Sequence, residues 1–228
     1  MGRATPWRPL PKNHHMTHYP WGIGDVIPGT ISGVTHKGIQ YPDKVTSYIG
    51  HSPVIKMTQT HSANCVIVDQ DTLKTSHQLP NCDACITMVP GVVLSVKTAD
   101  CLPILIHHPS GIVAGIHAGR KGTENHILKN TLDTISSHTQ IQDGFTLYFG
   151  PAICNSHYQI DREKNLYFDL VAENIAQLNQ KIPSQNYTLI RSDICTLESE
   201  NFDSFRRDAE NAGRFWTFIR SLVYVKEL

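Results

Sequence analysis

Residues 94–122 read LSVKTADCLPILIHHPSGIVAGIHAGRKG, and this stretch decides the fold. Val92 to Thr98, Leu102 to His107 and Ile112 to Ile116 are rich in Val, Ile and Leu, so the pattern predicts three short buried strands, the last two joined by a tight reversal at Pro109-Ser110-Gly111. Polar residues fall at the strand boundaries. Asp100 and Cys101 interrupt the apolar run between the first two strands, and His117 closes the third ahead of Ala118-Gly119, where small residues permit close approach of backbone or ligand. A carboxylate, a thiol and an imidazole are thereby offered at the ends of a rigid sheet, where sites are commonly built.

Working outward, apolar runs at Val54 to Met57 and Cys65 to Val68 predict two strands around the loop Gln59-Thr60-His61. Ile86 to Val89 reads as a strand before the Pro90-Gly91 turn, and Phe145 to Phe149 as another before Gly150-Pro151. A helix is expected from an N-cap at Thr123, with Ile127, Leu128, Thr131, Leu132 and Ile135 as its apolar stripe. A second is expected over Glu163 to Gln180, with Leu166, Leu170, Val171, Ile175 and Leu178 on one face. Alternating strands and helices predict the α/β class: one layered mixed α+β domain over residues 25–228, its central sheets flanked by helices, after an irregular arm or loose lead-in strand at 1–24.

Twenty basic residues balance twenty acidic ones, which argues against nucleic acid or an anionic membrane as partner. No apolar run is long enough to span a bilayer and the N-terminus lacks an apolar signal core, so a soluble, cytoplasmic protein is expected. The six cysteines are then read as thiols or metal ligands rather than a disulfide framework. Cys82-Asp83-Ala84-Cys85 is a lone CxxC without the second pair that a structural zinc normally needs, and its cysteines are read as local drift without function. His14, His15 and His18 lie in the irregular arm and are read as adventitious. Cys154 and His157, three apart, are read as pocket rim or core.

The motifs KTADCLPIL (97–105) and AGIHAGRKG (114–122) resemble the paired signature of the YfiH/laccase-domain family, also called multicopper polyphenol oxidase domain proteins. Gln59-Thr60-His61 matches the family's Gln-x-His loop, and Phe149 to Ile153 and Ser204 to Asp208 resemble two later motifs. Spacings of 40 and 16 residues between His61, Cys101 and His117 do not by themselves define a site. The resemblance makes these three the ligands of one Zn(II) with an open fourth position, able to lower the pKa of water; copper is the alternative that the family's older name implies. It implies catalytic roles for Asp100, Cys101 and His117, with Asp100 orienting a ligand or shuttling a proton. Gln59, Arg120, Lys121, Arg206 and Arg207 are the expected substrate-binding residues, one of the two adjacent arginines serving as a phosphate or ribose clamp. Arg120-Lys121 stands where the family has Trp-Arg, replacing a stacking ring and a bidentate donor.

The implied activity is zinc-dependent purine nucleoside phosphorylase, with purine nucleosides (adenosine, inosine, guanosine, methylthioadenosine) and phosphate as partners, alongside adenosine deamination. Three alternatives stand beside it. Cys101 with His117 as base is a cysteine hydrolase arrangement, linked in bacterial members to peptidoglycan precursor editing. Copper-dependent polyphenol oxidation needs a type 1 site and a trinuclear cluster, hence more paired histidines than this chain offers. A zinc-stabilised binding module is the non-enzymatic reading, and it predicts unfolding on metal loss.

Overall fold

The computed structural model describes residues 16–18, 26–37 and 49–222. His14 and His15 lie outside them, as does most of the expected N-terminal arm. The strands are β1 (Met16–His18), β2 (Thr30–Val34), β3 (Val54–Met57), β4 (Cys65–Val68), β5 (Gln78–Leu79), β6 (Ala84–Thr87), β7 (Val93–Thr98), β8 (Leu102–His107), β9 (Val113–Ala118), β10 (Phe145–Phe149), β11 (Gln159–Asp161), β12 (Leu166–Tyr167), β13 (Tyr187–Arg191) and β14 (Phe215–Ser221). The helices are α1 (Gln70–Thr75), α2 (Arg120–Glu124), α3 (Ile127–Thr139), α4 (Leu170–Lys181) and α5 (Phe205–Asp208).

Seven strands form a mixed sheet in the order β1-β13-β10-β8-β9-β6-β4, and five form a second sheet in the order β2-β14-β7-β3-β5. The large sheet is the middle layer, and its strands show why the central runs are continuously apolar. Along β8, Leu102, Ile104 and Ile106 enter the core shared with α3 and α4, while Leu105 points the other way into the core shared with the small sheet. β10 divides likewise, with Phe145, Leu147 and Phe149 on the helix side and Tyr148 on the sheet side. Both faces being covered, the period-2 alternation loses its polar half. A fully buried Ile104 contributes about 2–3 kcal/mol by transfer alone. Gly115 of β9 sets the sheet spacing, since a Cβ there would stand 3.1 Å from Val96 Cγ2 of β7.

The mixed α/β class thus holds, and several boundaries move. β9 runs on to Ala118, so His117 lies within the strand rather than closing it. β6 starts at Ala84 and ends at Thr87, two residues before the expected span. Thr123 is not an N-cap: α2 already starts after Gly119, and His126 in the left-handed region (φ 63°) separates it from α3. Thr123 is instead buried, its hydroxyl accepting from Asn174 Nδ2 at 2.9 Å. The stripe of α3 is as expected, all five residues being buried. The expected helix at 163–180 starts only at Leu170, because Asn165 (φ 49°) turns the chain into the β11–β12 hairpin and Asp169 caps α4 by accepting from Ala172 N. Leu166 is therefore exposed rather than on the packed face. Cys82 and Cys85 are fully buried core thiols, both raised in pKa first by desolvation. Among the described residues, no helix is long and apolar enough to cross a membrane.

Candidate metal centre

Strand register brings the site together. β8 and β9 pair antiparallel with Leu102 opposite Ala118 and Pro103 opposite His117, so Cys101, just before β8, comes up beside the end of β9. β6 flanks β9 on its other side with Ala84 opposite Ile116, which carries Asp83 to His117. The loop between β3 and β4 supplies His61. Ligand atoms of His61, Cys101 and His117 all lie within 4.8 Å of one another, with Cys101 Sγ 3.7 Å from His61 Nε2. The two imidazoles meet edge to face, ring centroids 4.8 Å apart.

Asp83, fully buried, organises this cluster. Its Oδ1 accepts from His117 Nδ1 at 2.7 Å and His61 N at 3.0 Å; its Oδ2 accepts from Ser62 N and Ser62 Oγ at 2.7 Å each and Thr60 N at 3.1 Å. Burial by itself would raise this carboxyl, but the hydrogen bonds from His117 and Ser62 outweigh it and hold the pKa at about 2. A carboxylate on Nδ1 leaves Nε2 of His117 as the nitrogen able to bind a cation. The hydrogen bonds to residues 60–62 shape the loop that carries His61, itself in the left-handed region at φ 60°.

Gly119 completes the cradle. A Cβ at this position would stand 2.7 Å from His61 Cδ2 and 3.0 Å from Cys101 Sγ, so only glycine lets the chain pass so close to these two side chains. Burial would raise the Cys101 thiol, yet His117 and His61 lower it to about 6. Burial would lower His117, yet Cys101 and Asp83 raise it to about 9. In the metal-free protein the two therefore favour their charged forms, an ion pair, and a metal at Nε2 would displace the His117 proton while meeting a thiol drawn towards the thiolate it requires.

The other expected site residues divide. Asp100 (φ 86°) does not touch the imidazoles: its Oδ1 accepts from Thr196 Oγ1 at 2.7 Å and its Oδ2 from Arg206 N at 2.6 Å, so it braces the turn that presents Cys101. The carboxylate that holds the His117 ring is Asp83, not Asp100, because register places Asp83 opposite the end of β9. Gln59 turns away, its amide donating to Lys97 O at 2.7 Å and accepting from Lys97 N at 3.0 Å, so that it extends the β3–β7 pairing. Arg207 is structural, donating to the carbonyls of Thr196, Leu197, Ser199 and Phe202 and to Asp208. Arg206 is the exposed one of the pair; it donates to Gln159 O and its guanidinium lies 5.4 Å from the centroid of the Tyr158 ring. Arg120 pairs with Glu124 at 3.1 Å on the short helix after Gly119, and Lys121 is exposed beside it.

Sequence reasoning missed two residues. Asp83 was legible only as one of the two residues between the cysteines of a discarded CxxC. Tyr158 had no signal beyond being aromatic, yet Arg206 lies over its ring and burial raises its phenol.

The chain also matches known proteins. Residues 43–221 match the family model described as multi-copper polyphenol oxidoreductase laccase. A Campylobacter jejuni protein named purine nucleoside phosphorylase Cj1217c is 32% identical over 200 residues, covering 81% of this chain and 84% of that one. A protein named adenosine deaminase RL5, from an unknown prokaryotic organism, is 31% identical over 71% of this chain and 72% of its own length. Among solved structures, YlmD from Geobacillus stearothermophilus shares the fold with a TM-score of 0.76 at 22% identity, covering 86% of this chain and 93% of that chain. With the family model spanning most of its length and relatives bearing enzyme names, the chain belongs to the multi-copper polyphenol oxidoreductase laccase family, a family of enzymes.

Proposed function

We propose that this protein is a purine nucleoside phosphorylase that also deaminates adenosine, built around one Zn(II) held by His61, Cys101 and His117. The observation that carries this reading is the convergence of two imidazoles and a thiol around a passage kept open by Gly119, with Asp83 engaging His117 Nδ1 so that Nε2 is left as the ligating nitrogen. Two nitrogens and one sulfur are a three-ligand set that zinc accepts with one position open for chemistry. Names of relatives at about a third identity support the substrate class. The family's description names copper, but a multicopper oxidase needs paired histidines and no His-x-His pair occurs anywhere in the sequence.

When bound, Zn(II) supplies Lewis acidity at the open position. The chain's own residues do the rest. Arg206 and the Arg120-Lys121 pair supply positive charge for phosphate, whose oxygen attacks C1 of the ribose as the bond to the purine nitrogen breaks; charge complementarity serves this step without a protein nucleophile. Tyr158 offers a ring for the purine or ribose. In deamination, water adds at C6 and ammonia leaves, so one site that holds the purine serves both reactions. Asp83 keeps His117 oriented throughout, and Asp100 holds the Cys101 turn against Thr196 and Arg206.

The Cys101–His117 ion pair also favours a second reading, a cysteine hydrolase in which Cys101 attacks a carbonyl and His117 protonates the leaving group. One paired assay separates the two. Purified protein with its metal quantified is given adenosine with and without phosphate, beside the Cys101→Ala variant. Adenine and ribose 1-phosphate formed only with phosphate, with one equivalent of zinc fewer in the variant than in the wild type, is the expected result. No turnover of any purine nucleoside by zinc-loaded protein would overturn the phosphorylase reading and leave the hydrolase.

A further inference from the structure

β10 and β13 are parallel neighbours, so the loops that follow them leave the sheet at the same end. The first loop carries Cys154-Asn155-Ser156-His157 and the second Cys195-Thr196-Leu197-Glu198, each with two donor residues three apart. A bridge between Ala152 and Cys195 locks the loops side by side, with Thr196 N donating to Ala152 O at 3.0 Å. A short 3₁₀ turn at Asn155–His157 folds His157 back over Cys154, and a turn closed by Ser199 N to Cys195 O folds Glu198 back over Cys195. The ligand atoms of all four residues lie within 4.8 Å of one another.

We propose that Cys154, His157, Cys195 and Glu198 form a second metal site, closed and structural, that takes a zinc-class divalent cation. The donor set is two thiolates, an imidazole and a carboxylate, which fills a tetrahedral shell and leaves no position for substrate. A tetrahedral zinc with bonds of about 2.0–2.3 Å sets its ligand atoms about 3.3–3.8 Å apart. Here His157 Nδ1 lies 3.3 Å from Glu198 Oε1, 3.0 Å from Cys154 Sγ and 3.8 Å from Cys195 Sγ. The sulfurs, 2.7 Å apart as free thiols, need only part by about 1 Å, a small rotation about their Cα–Cβ bonds. Cys154 N donates to Cys195 Sγ at 3.2 Å, an amide placed to stabilise a thiolate. On binding, the two thiols release their protons and the cation takes up their charge.

The site has a consequence for the first centre. Ile153 N, next to Cys154, donates to Asp100 O at 2.9 Å, and Thr196 Oγ1, next to Cys195, donates to Asp100 Oδ1. A cation pinning the two loops would therefore steady the turn that presents Cys101, although it stands or falls independently of the reaction proposed above.

The test is zinc per chain, measured by elemental mass spectrometry on protein purified under reducing conditions. Two equivalents are expected in the wild type, one in Cys101→Ser, and one in the Cys154→Ser/Cys195→Ser double variant. One equivalent in the wild type, all of it lost in Cys101→Ser, would overturn the second site and leave the first intact. Should the double variant fail to fold, the Cys101→Ser protein is titrated with a thiol reagent before and after chelation. Cys154 and Cys195 should react about tenfold faster or more once the metal is removed. Equal rates with no bound zinc, or a Cys154–Cys195 disulfide in place of the metal, would also sink the proposal.

Discussion

Replacing Asp83 by Asn tests how the first centre is organised. The carboxylate accepts at both oxygens, and an amide can accept at only one. If the amide nitrogen takes the Oδ2 place, the backbone N–H groups of Thr60 and Ser62 lose their acceptor. If it takes the Oδ1 place, only the N–H of His61 is stranded, while His117 Nδ1 must turn from donor to acceptor. A stranded buried donor costs about 1–3 kcal/mol, so the second arrangement is the cheaper one. It puts the imidazole proton on Nε2, the nitrogen needed for the metal. Asp83→Asn should therefore lose about 1–3 kcal/mol of stability in chemical denaturation and about 10–100-fold in zinc affinity in competition with a chelator. Nitrogen chemical shifts of His117 in the metal-free proteins should show both ring nitrogens protonated in the wild type and Nδ1 unprotonated in the variant, a signal that loss of stability alone would not move. Wild-type zinc affinity together with a His117 still protonated on Nδ1 would refute the role given to Asp83.

Gly119→Ala should push His61 and Cys101 apart and lower zinc affinity about tenfold or more by metal competition; unchanged affinity would mean the Cβ is accommodated elsewhere. Arg206→Ala should raise the KM for phosphate while leaving the melting temperature near wild type, whereas Arg207→Ala, which frees four backbone carbonyls, should cost about 2–4 kcal/mol in denaturation; the reverse pattern would reassign the pair. In metal-free protein the lowered Cys101 pKa contributes stability that fades as pH falls through about 6, and the raised His117 pKa contributes stability that fades as pH rises through about 9. Denaturation midpoints of apo protein should then be favoured between these limits, and alkylation of Cys101 should show a thiolate already formed at pH 7; a thiol titrating near 9 would contradict the ion pair.

Much of the large sheet could be read from the chain because its strands are local runs of β-branched and aliphatic residues bounded by turn formers. β8 and β10 were legible to the residue for that reason, and so was the buried stripe of α3. The helix expected at 163–180 failed where a positive-φ Asn165 and the Asp169 cap overrode a plausible apolar period, since backbone reversal at one residue outweighs weak helical propensity over six. His61, Cys101 and His117 were marked by motif resemblance, and nothing in their spacing brings them together; the β8–β9 and β6–β9 registers do that. The same registers choose Asp83 over Asp100 as the partner of His117, a choice between two carboxylates that look alike in sequence.

The sequence by itself determined the period of each strand, the apolar surface each must bury and the chemical types available at their ends. Only the tertiary structure decided which ends meet. Parallel pairing of β10 with β13 sets Cys154 and His157 against Cys195 and Glu198, 41 residues on, and antiparallel pairing of β8 with β9 sets Cys101 beside His117. Side-chain identity is written residue by residue, but proximity between distant residues is a property of register, and register is settled by the packing of the whole sheet.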